Sequence, residues 1–372
     1  MTKLQELFER HGQSPWLDNL TRGHVTRGEL DRLVADGIRG VTSNPTIFAK
    51  AMGSTDYDAQ FKRLIDTGAN VIEAYWTMVI EDIEGALSIL RPIYDDSGGG
   101  DGFVSVELAP SLAQDTAGSI EAARQLHERI DAPNLFVKIP ATPEGVPAIH
   151  ETIAEGRSIN ITLIFSLERY AKVIEAYISG LERYDGDLRS VHSVASFFVS
   201  RVDTEVDRRL EAIGTEEALA LRGRAAVAQA KVAYQLFRRH FSGPRWDALR
   251  ARGARLQRPL WASTSTKNPK YPDTLYVDRL IGPDTVNTLP EATIAAFEDH
   301  GTVALTIEDA GDDELRVLER LEAIGISMAD VGRTLEEEGA ATFTKAFDDL
   351  IKTLQSKRAA LVGRRAETEI RA

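Results

Sequence analysis

Eight short runs rich in Val, Ile, Phe and Thr, separated by longer amphipathic stretches, constrain this chain more than any other feature. They are SPWLDNL (14–20), IRGVTSN (38–44), GFVSVEL (102–108), NLFVKIP (134–140), SINITLIF (158–165), SVHSVASFFV (190–199), RPLWAST (258–264) and PDTVNTL (283–289). Each has the length and β-branched character of a strand buried on both faces. Helical patterns lie between them. Leu167, Tyr170, Val173, Ile174, Tyr177, Ile178 and Leu181 recur at spacings of three and four, as do Ile120, Ala123, Leu126 and Ile130. DAQFKRLID and ANVIEAYWTMVIEDIEGALSIL predict two helices between the second and third runs. A long helical insertion, from about Asp203 to Arg255, separates the sixth from the seventh. From Asp312 the tail reads as helices on Leu315, Leu318 and Leu321, then on Phe343, Phe347, Leu350, Ile351 and Leu354.

Strands that alternate with helices pair in parallel through right-handed crossovers. Eight such units favour closure into an α/β fold of the (β/α)8 TIM-barrel type over an open sheet. A doubly wound sheet would carry a Gly-rich turn directly after a strand. The one Gly cluster, SGGGDG at 97–102, precedes a strand instead. It reads as a flexible connector, with phosphate contact the lesser alternative. A length of 372 residues suggests two domains, yet barrels of this kind routinely exceed 200 residues as one. No repeat, low-complexity stretch or Pro-rich linker marks a break. We therefore read 1–372 as a single barrel domain, with a helical C-terminal extension over about 301–372 packed on it, where it could cover part of the active site.

Composition removes several function classes. Cysteine is absent, which excludes disulfides, thiol nucleophiles and thiolate metal sites and fits a cytoplasmic protein. Acidic residues outnumber basic ones 57 to 44, for a net charge of -13. A nucleic-acid binder would need a positive face for phosphates, and the locally basic 238–258 reads as a solvated helix and loop. The seven His include no i, i+4 pair around a Glu, so a zinc-hydrolase site finds no support and no metal is expected. No apolar stretch approaches the roughly 20 residues that span a bilayer, and the first residues, MTKLQELFERHG, lack the apolar run of a secretory signal.

In a barrel the chemistry sits at the C-terminal ends of the strands. There the fourth run ends in Lys138, followed by Ile139 and Pro140. A lysine in apolar surroundings has its charged form disfavoured, which frees an amine to condense with a ketone or aldehyde. The plainer alternative is a lysine that snorkels to solvent. Glu107 ends the third run, in the corresponding place one strand over, and Asp18 follows Trp16-Leu17 on the first. A Schiff-base reaction needs proton shuttles, and two carboxylates near the amine could divide them. Short polar residues mark other strand ends: Thr42-Ser43-Asn44, Asn160 with Thr162, Ser196, and Ser263 through Thr266. Such groups suit the hydroxyls of an open-chain sugar, although singly each could cap the next helix, as Ser166 is expected to. Arg201 and Lys267 lie past the sixth and seventh strands. Both could hold a phosphate, or form surface pairs with Asp203 and Asp273.

The motifs VTSNPTIF, SVELAP, NLFVKIPAT, INITLIFS, SVASFFVSRVD and WASTSTKNP, in this order from about Asp18 to Pro290, resemble the transaldolase family, in its longer bacterial branch. The resemblance implies a (β/α)8 barrel that works through a lysine Schiff base without cofactor or metal. It would transfer a dihydroxyacetone unit between sugar phosphates, with neither nucleic acid nor membrane as partner; a homo-oligomer is left open. By motif, Lys138 would form the Schiff base. Glu107 would act through a water positioned by Thr162, and Asp18 would exchange a proton with the substrate hydroxyl. Asn44, Asn160 and Ser196 would bind substrate hydroxyls and the enamine, and Arg201 the phosphate. Where many members read Ser-Phe-Arg after strand seven, this chain has Ser265-Thr266-Lys267. A Lys loses the bidentate fork of an Arg, and a register shift by two would put Ser263 in the place of Ser265. Two other readings stay open: an aldolase that releases free dihydroxyacetone, and a sugar-phosphate-binding barrel without catalysis.

Overall fold

All eight runs form strands: β1 Gln13–Asp18, β2 Gly40–Thr42, β3 Phe103–Glu107, β4 Leu135–Pro140, β5 Ile159–Ile164, β6 Ser193–Phe198, β7 Gln257–Ala262 and β8 Thr285–Leu289. The structure, a computed structural model, describes residues 1–308 and 312–371, the side chains of 312–315 and 362–371 excepted. The strands close into a barrel in chain order, each pair parallel, with β8 returning to β1. Helices cover the outside. The helix Leu167–Arg183 buries Tyr170, Val173, Ile174, Tyr177, Ile178 and Leu181, most of the face expected from its periodicity. Ser166 caps it, its side chain accepting from Arg169 N at 3.1 Å.

Two stretches differ in detail from the sequence reading. The insertion between β6 and β7 begins at Ser200 and divides into the helices Ser200–Ile213, Glu216–Leu219, Ala225–His240 and Pro244–Ala251. Gly214 and Gly243, both at positive φ, stand at breaks that a single period would miss. The tail forms the helices Asp312–Ala323 and Met328–Arg371. In it Leu321, Phe343, Leu350 and Leu354 are buried as expected, while Leu315 falls outside the described side chains.

Aromatic rings fill the barrel below its C-terminal mouth. Phe103 and Phe136 stack with centroids 4.2 Å apart, and Trp16 lies 6.2 Å from Phe136. Gly40 on β2 makes room for that indole, since a Cβ there would overlap the Trp16 ring. Near them, at the bottom of the barrel, lies Asp101, 1% exposed. Its carboxylate accepts from Ser14 Oγ, from Trp16 Nε1 at 2.9 Å and from Arg39 Nε at 2.9 Å, with Arg258 Nη2 at 3.4 Å. A buried carboxylate is tolerated when it is paired and bonded in this way. SGGGDG is therefore more than a connector: it delivers the anion that ties the lower ends of β1 and β7 together.

Candidate active site

Strand register brings the sequence candidates together. Glu107 lies opposite Lys138, Lys138 opposite Asn160, and Asp18 opposite Thr42. The resulting cavity at the C-terminal mouth, of about 280 Å³, is lined by Asp18, Thr42, Asn44, Lys138, Thr162, Ser196 and Arg201, among others. Lys138 Nζ stands 3.0 Å from Glu107 Oε2 and donates to Ser43 O at 3.0 Å. Lys138 is 5% and Glu107 9% exposed. The surroundings of the amine are thus more polar than its neighbours in sequence imply, because strands β1 and β3 supply carboxylates that β4 alone does not reveal.

Loss of solvation raises the pKa of Glu107, and the adjacent Lys138 opposes that rise. Asp18, partly open to the cavity, is raised by desolvation as well, against the pull of Lys138 and a hydrogen bond from Thr42. Thr42 Oγ1 donates to Asp18 Oδ1 at 3.0 Å and lies 2.7 Å from Thr288 Oγ1, so a hydroxyl chain from β8 orients the carboxylate. Thr288 lines the cavity too. Its inward parity on β8 was readable in the sequence, but nothing singled it out.

Two buried polar atoms in this region have no hydrogen-bond partner: Glu107 Oε2, whose contact with Lys138 is an ion pair and not an aligned bond, and Thr162 Oγ1. Such atoms are uncommon in folded proteins and point to something a site binds. Leu163, directly after Thr162, adopts φ 60, and the β5–β6 register shifts between Ile161 and Ile164. A non-Gly residue there costs on the order of 1 kcal/mol or more, and such bulges recur beside functional side chains. Deeper in the barrel, Asn160 donates to Ser105 Oγ at 3.0 Å and accepts from Ser196 Oγ at 2.7 Å. That chain fixes the Asn160 amide. Asn44 serves as a helix cap and as cavity wall at once: its Oδ1 accepts from Ile47 N at 3.0 Å at the start of the helix Pro45–Met52.

Arg201, at the start of Ser200–Ile213, lies over the rings of Phe198 and Phe343 at 5.4 and 6.0 Å. It has no ion pair within 4 Å among the described residues, and burial lowers its pKa. Such a desolvated guanidinium is suited to an incoming anion. The pair with Asp203 does not form, because Asp203 instead accepts from Ala226 N and Tyr276 Oη, each at 2.8 Å. Ser263, and neither Ser265 nor Lys267, lines the cavity. β7 ends at Ala262, and Ser263 takes φ 58, which turns the chain outward. Lys267 is exposed and donates to Ser265 Oγ at 2.7 Å. It is near enough for Asp18 and Arg201 to feel its charge, and its own pKa is lowered by partial desolvation of the amine and by Arg201, although the side chain as a whole is exposed. Its pair with Asp273 is absent, since Asp273 bonds His300 at 2.7 Å.

Lys50, Thr342 and Phe343, which no motif singled out, also line the cavity. The last two come from the helix Met328–Arg371, which is tied across the mouth by ion pairs of Glu336 with Arg169 at 3.0 Å, Asp330 with Arg209 at 2.6 Å and Lys357 with Asp58 at 2.6 Å. Among the described residues no group of three or more His, Asp or Glu could hold a metal ion, and no helix is long and apolar enough to cross a membrane.

Fold and site together define a (β/α)8 barrel with a carboxylate-flanked lysine at its C-terminal mouth. The model of the transaldolase/fructose-6-phosphate aldolase family matches residues 15–354. The chain belongs to that family. It is 49% identical over 363 residues to a transaldolase of Thermobifida fusca (strain YX), covering 96% of this chain and 98% of that one. It is 50% identical over 352 residues to a transaldolase of Parafrankia sp. (strain EAN1pec), with 93% and 95% covered. Transaldolase 2 of Streptomyces coelicolor is 47% identical over 363 residues, with 96% and 98% covered.

Proposed function

We propose that the protein is a transaldolase that converts sedoheptulose 7-phosphate and glyceraldehyde 3-phosphate reversibly into erythrose 4-phosphate and fructose 6-phosphate. The observation that carries this reading is the Lys138 amine 3.0 Å from Glu107 at the cavity that Asp18 lines. The amine attacks the ketose carbonyl, and loss of water from the carbinolamine leaves the Schiff base. Asp18 takes the proton of the C4 hydroxyl as the C3–C4 bond breaks; the first aldose leaves and the electron pair passes into the enamine. The enamine then attacks the second aldehyde, Asp18 returns the proton, and water releases the ketose.

Glu107 serves the two water steps. Its Oε2, held to Lys138 only by an ion pair, and the unpartnered Thr162 hydroxyl are groups that a water or carbinolamine hydroxyl can bond. The Asn160–Ser196 pair and Asn44 bind hydroxyls of the dihydroxyacetone unit. Arg201 grips the phosphate, with Lys50 and Lys267 adding positive potential; Ser263 takes the place assigned by motif to Ser265. The reaction is expected in the cytoplasm.

Incubating the protein with fructose 6-phosphate, with and without erythrose 4-phosphate, tests the reading. A transferase forms sedoheptulose 7-phosphate only with the acceptor and little free dihydroxyacetone without it. Steady release of dihydroxyacetone in the absence of acceptor would make the protein an aldolase instead.

A further inference from the structure

A second cavity, of about 580 Å³, opens at the other end of the barrel. The first residues of β3 and β6 line it, as do Gly99 and Gly100 of the glycine-rich loop and Arg250, Arg255 and Arg258. Its size lies within the roughly 300–1,000 Å³ of small-molecule sites. We propose that this cavity binds an organic anion that joins a flat ring to a phosphate, of nucleoside monophosphate size. No step of the proposed transfer reaction uses it.

Charge is the first argument. The Arg255 guanidinium donates only to backbone carbonyls, Gly98 O at 2.6 Å and Arg189 O at 3.3 Å, and has no carboxylate within 4 Å among the described residues. Arg258 and Arg250 have carboxylates at 3.4 and 2.9 Å, from Asp101 and Asp247. Among the described residues, Asp284 is the one carboxylate lining the cavity against these three cations. A partly enclosed guanidinium with free donors recognises phosphate strongly.

His192 is the second argument. Its side chain lines the cavity, is 5% exposed, and its ring nitrogens have no hydrogen-bond partner among the described residues. Burial and the nearby Arg255 and Arg258 hold its pKa down to about 3. The neutral ring therefore offers one donor and one acceptor. Facing the cavity without a bond in the protein, they are placed to take one from a ligand. Much of the remaining wall is aromatic: Phe103, 5.0 Å from the His192 ring, with Phe8, Phe241 and Trp246, while the one further hydroxyl, Ser193 Oγ, already accepts from Gln257 Nε2 at 3.0 Å. Flat apolar walls favour a ring over a polyhydroxylated chain, which would need hydroxyl partners.

The loop contributes shape, not donors. Gly99 N and Gly100 N are already bonded to Tyr94 O at 2.8 Å and Ser97 O at 3.2 Å. A Cβ on Gly99 would stand 3.2 Å from His192 Cε1, so the glycine keeps the imidazole edge accessible.

Isothermal titration of the full chain with adenosine 5′-monophosphate, adenosine and inorganic phosphate tests this. The nucleotide should bind one per chain and about 10-fold tighter or more than either half. Arg255→Gln should weaken nucleotide binding about 10-fold while sparing turnover, and exposed Arg250→Gln, which leaves the loop anchor intact, should weaken it by about 3-fold. Arg201→Gln, at the opposite mouth, should leave it unchanged. No saturable binding of the nucleotide up to millimolar concentration would overturn the proposal. So would nucleotide binding that both bottom-end variants leave unchanged, or binding lost with Arg201→Gln. Phosphate alone binding as tightly as the nucleotide would overturn the claim that a ring is recognised.

Discussion

Replacing Glu107 by Gln separates the work of the two carboxylates. The side chain keeps its shape but loses its charge 3.0 Å from Lys138 Nζ. At that distance, with an effective dielectric constant of about 20, the gross attraction is on the order of 5 kcal/mol. Desolvation of two buried ions offsets much of it, so the folded state should survive the change. The kinetic effect should be larger. A positioned acid or base contributes about 10²–10⁴ in rate, or roughly 3–5 kcal/mol of barrier. Dehydration of the carbinolamine precedes the imine that borohydride reduces, so Glu107→Gln should slow adduct formation with fructose 6-phosphate about 100-fold or more. Asp18→Asn should behave differently. It should form the adduct at close to the normal rate and lose transfer by a comparable factor, because Asp18 acts when the C–C bond breaks. The assay pairs timed borohydride quenching with steady-state transfer on the same samples. A Glu107→Gln protein that forms adduct at the normal rate would refute the assignment, and so would an Asp18→Asn protein equally slow in both measurements.

Three further changes probe the scaffold. Asp101→Asn should lower unfolding free energy by about 3 kcal/mol or more, since Arg39 and Arg258 lose a buried partner, while kcat stays near normal; denaturant titration checks the first and the transfer assay the second. Burial raises the pKa of Asp203 to about 7, so the folded protein binds a proton there more tightly than the unfolded chain. The stability this brings is full below about pH 4 and is lost as pH rises to 7. The Asp203→Asn protein should therefore gain on the parent by on the order of 3 kcal/mol between pH 4 and 8, and parallel stability curves would contradict the shift. Gly40→Ala should lower stability by about 3 kcal/mol or more by forcing a methyl group onto Trp16, seen as a fall in Tm; an unchanged Tm would show that the ring can move.

The barrel was legible because strands buried on both faces leave continuous apolar runs, and eight of them with helices between admit few other closures. The centre of the site was legible for a related reason. Lys138 and Glu107 each end an apolar run, and parallel register sets such ends side by side. What stayed hidden depends on where the chain goes after a strand stops. The sequence left Ser263 and Ser265 as alternatives; Ser263 faces the cavity, its left-handed backbone turning the chain there, and no side-chain pattern encodes that turn. Phe343 and Thr342 lie more than 200 positions beyond Lys138 in the sequence. That their helix could cover part of the site was foreseen, but an amphipathic period does not say which of its residues reach the mouth. Asp101 was masked by the glycines around it, which read as a connector although the carboxylate among them holds the base of the barrel.

Borohydride reduction of the protein with fructose 6-phosphate, followed by peptide mass spectrometry, tests the central claim most directly. The account predicts a reduced dihydroxyacetone adduct on the peptide NLFVKIPATPEG, at Lys138. No adduct from folded protein that binds the sugar phosphate, or an adduct at a different lysine, would contradict it.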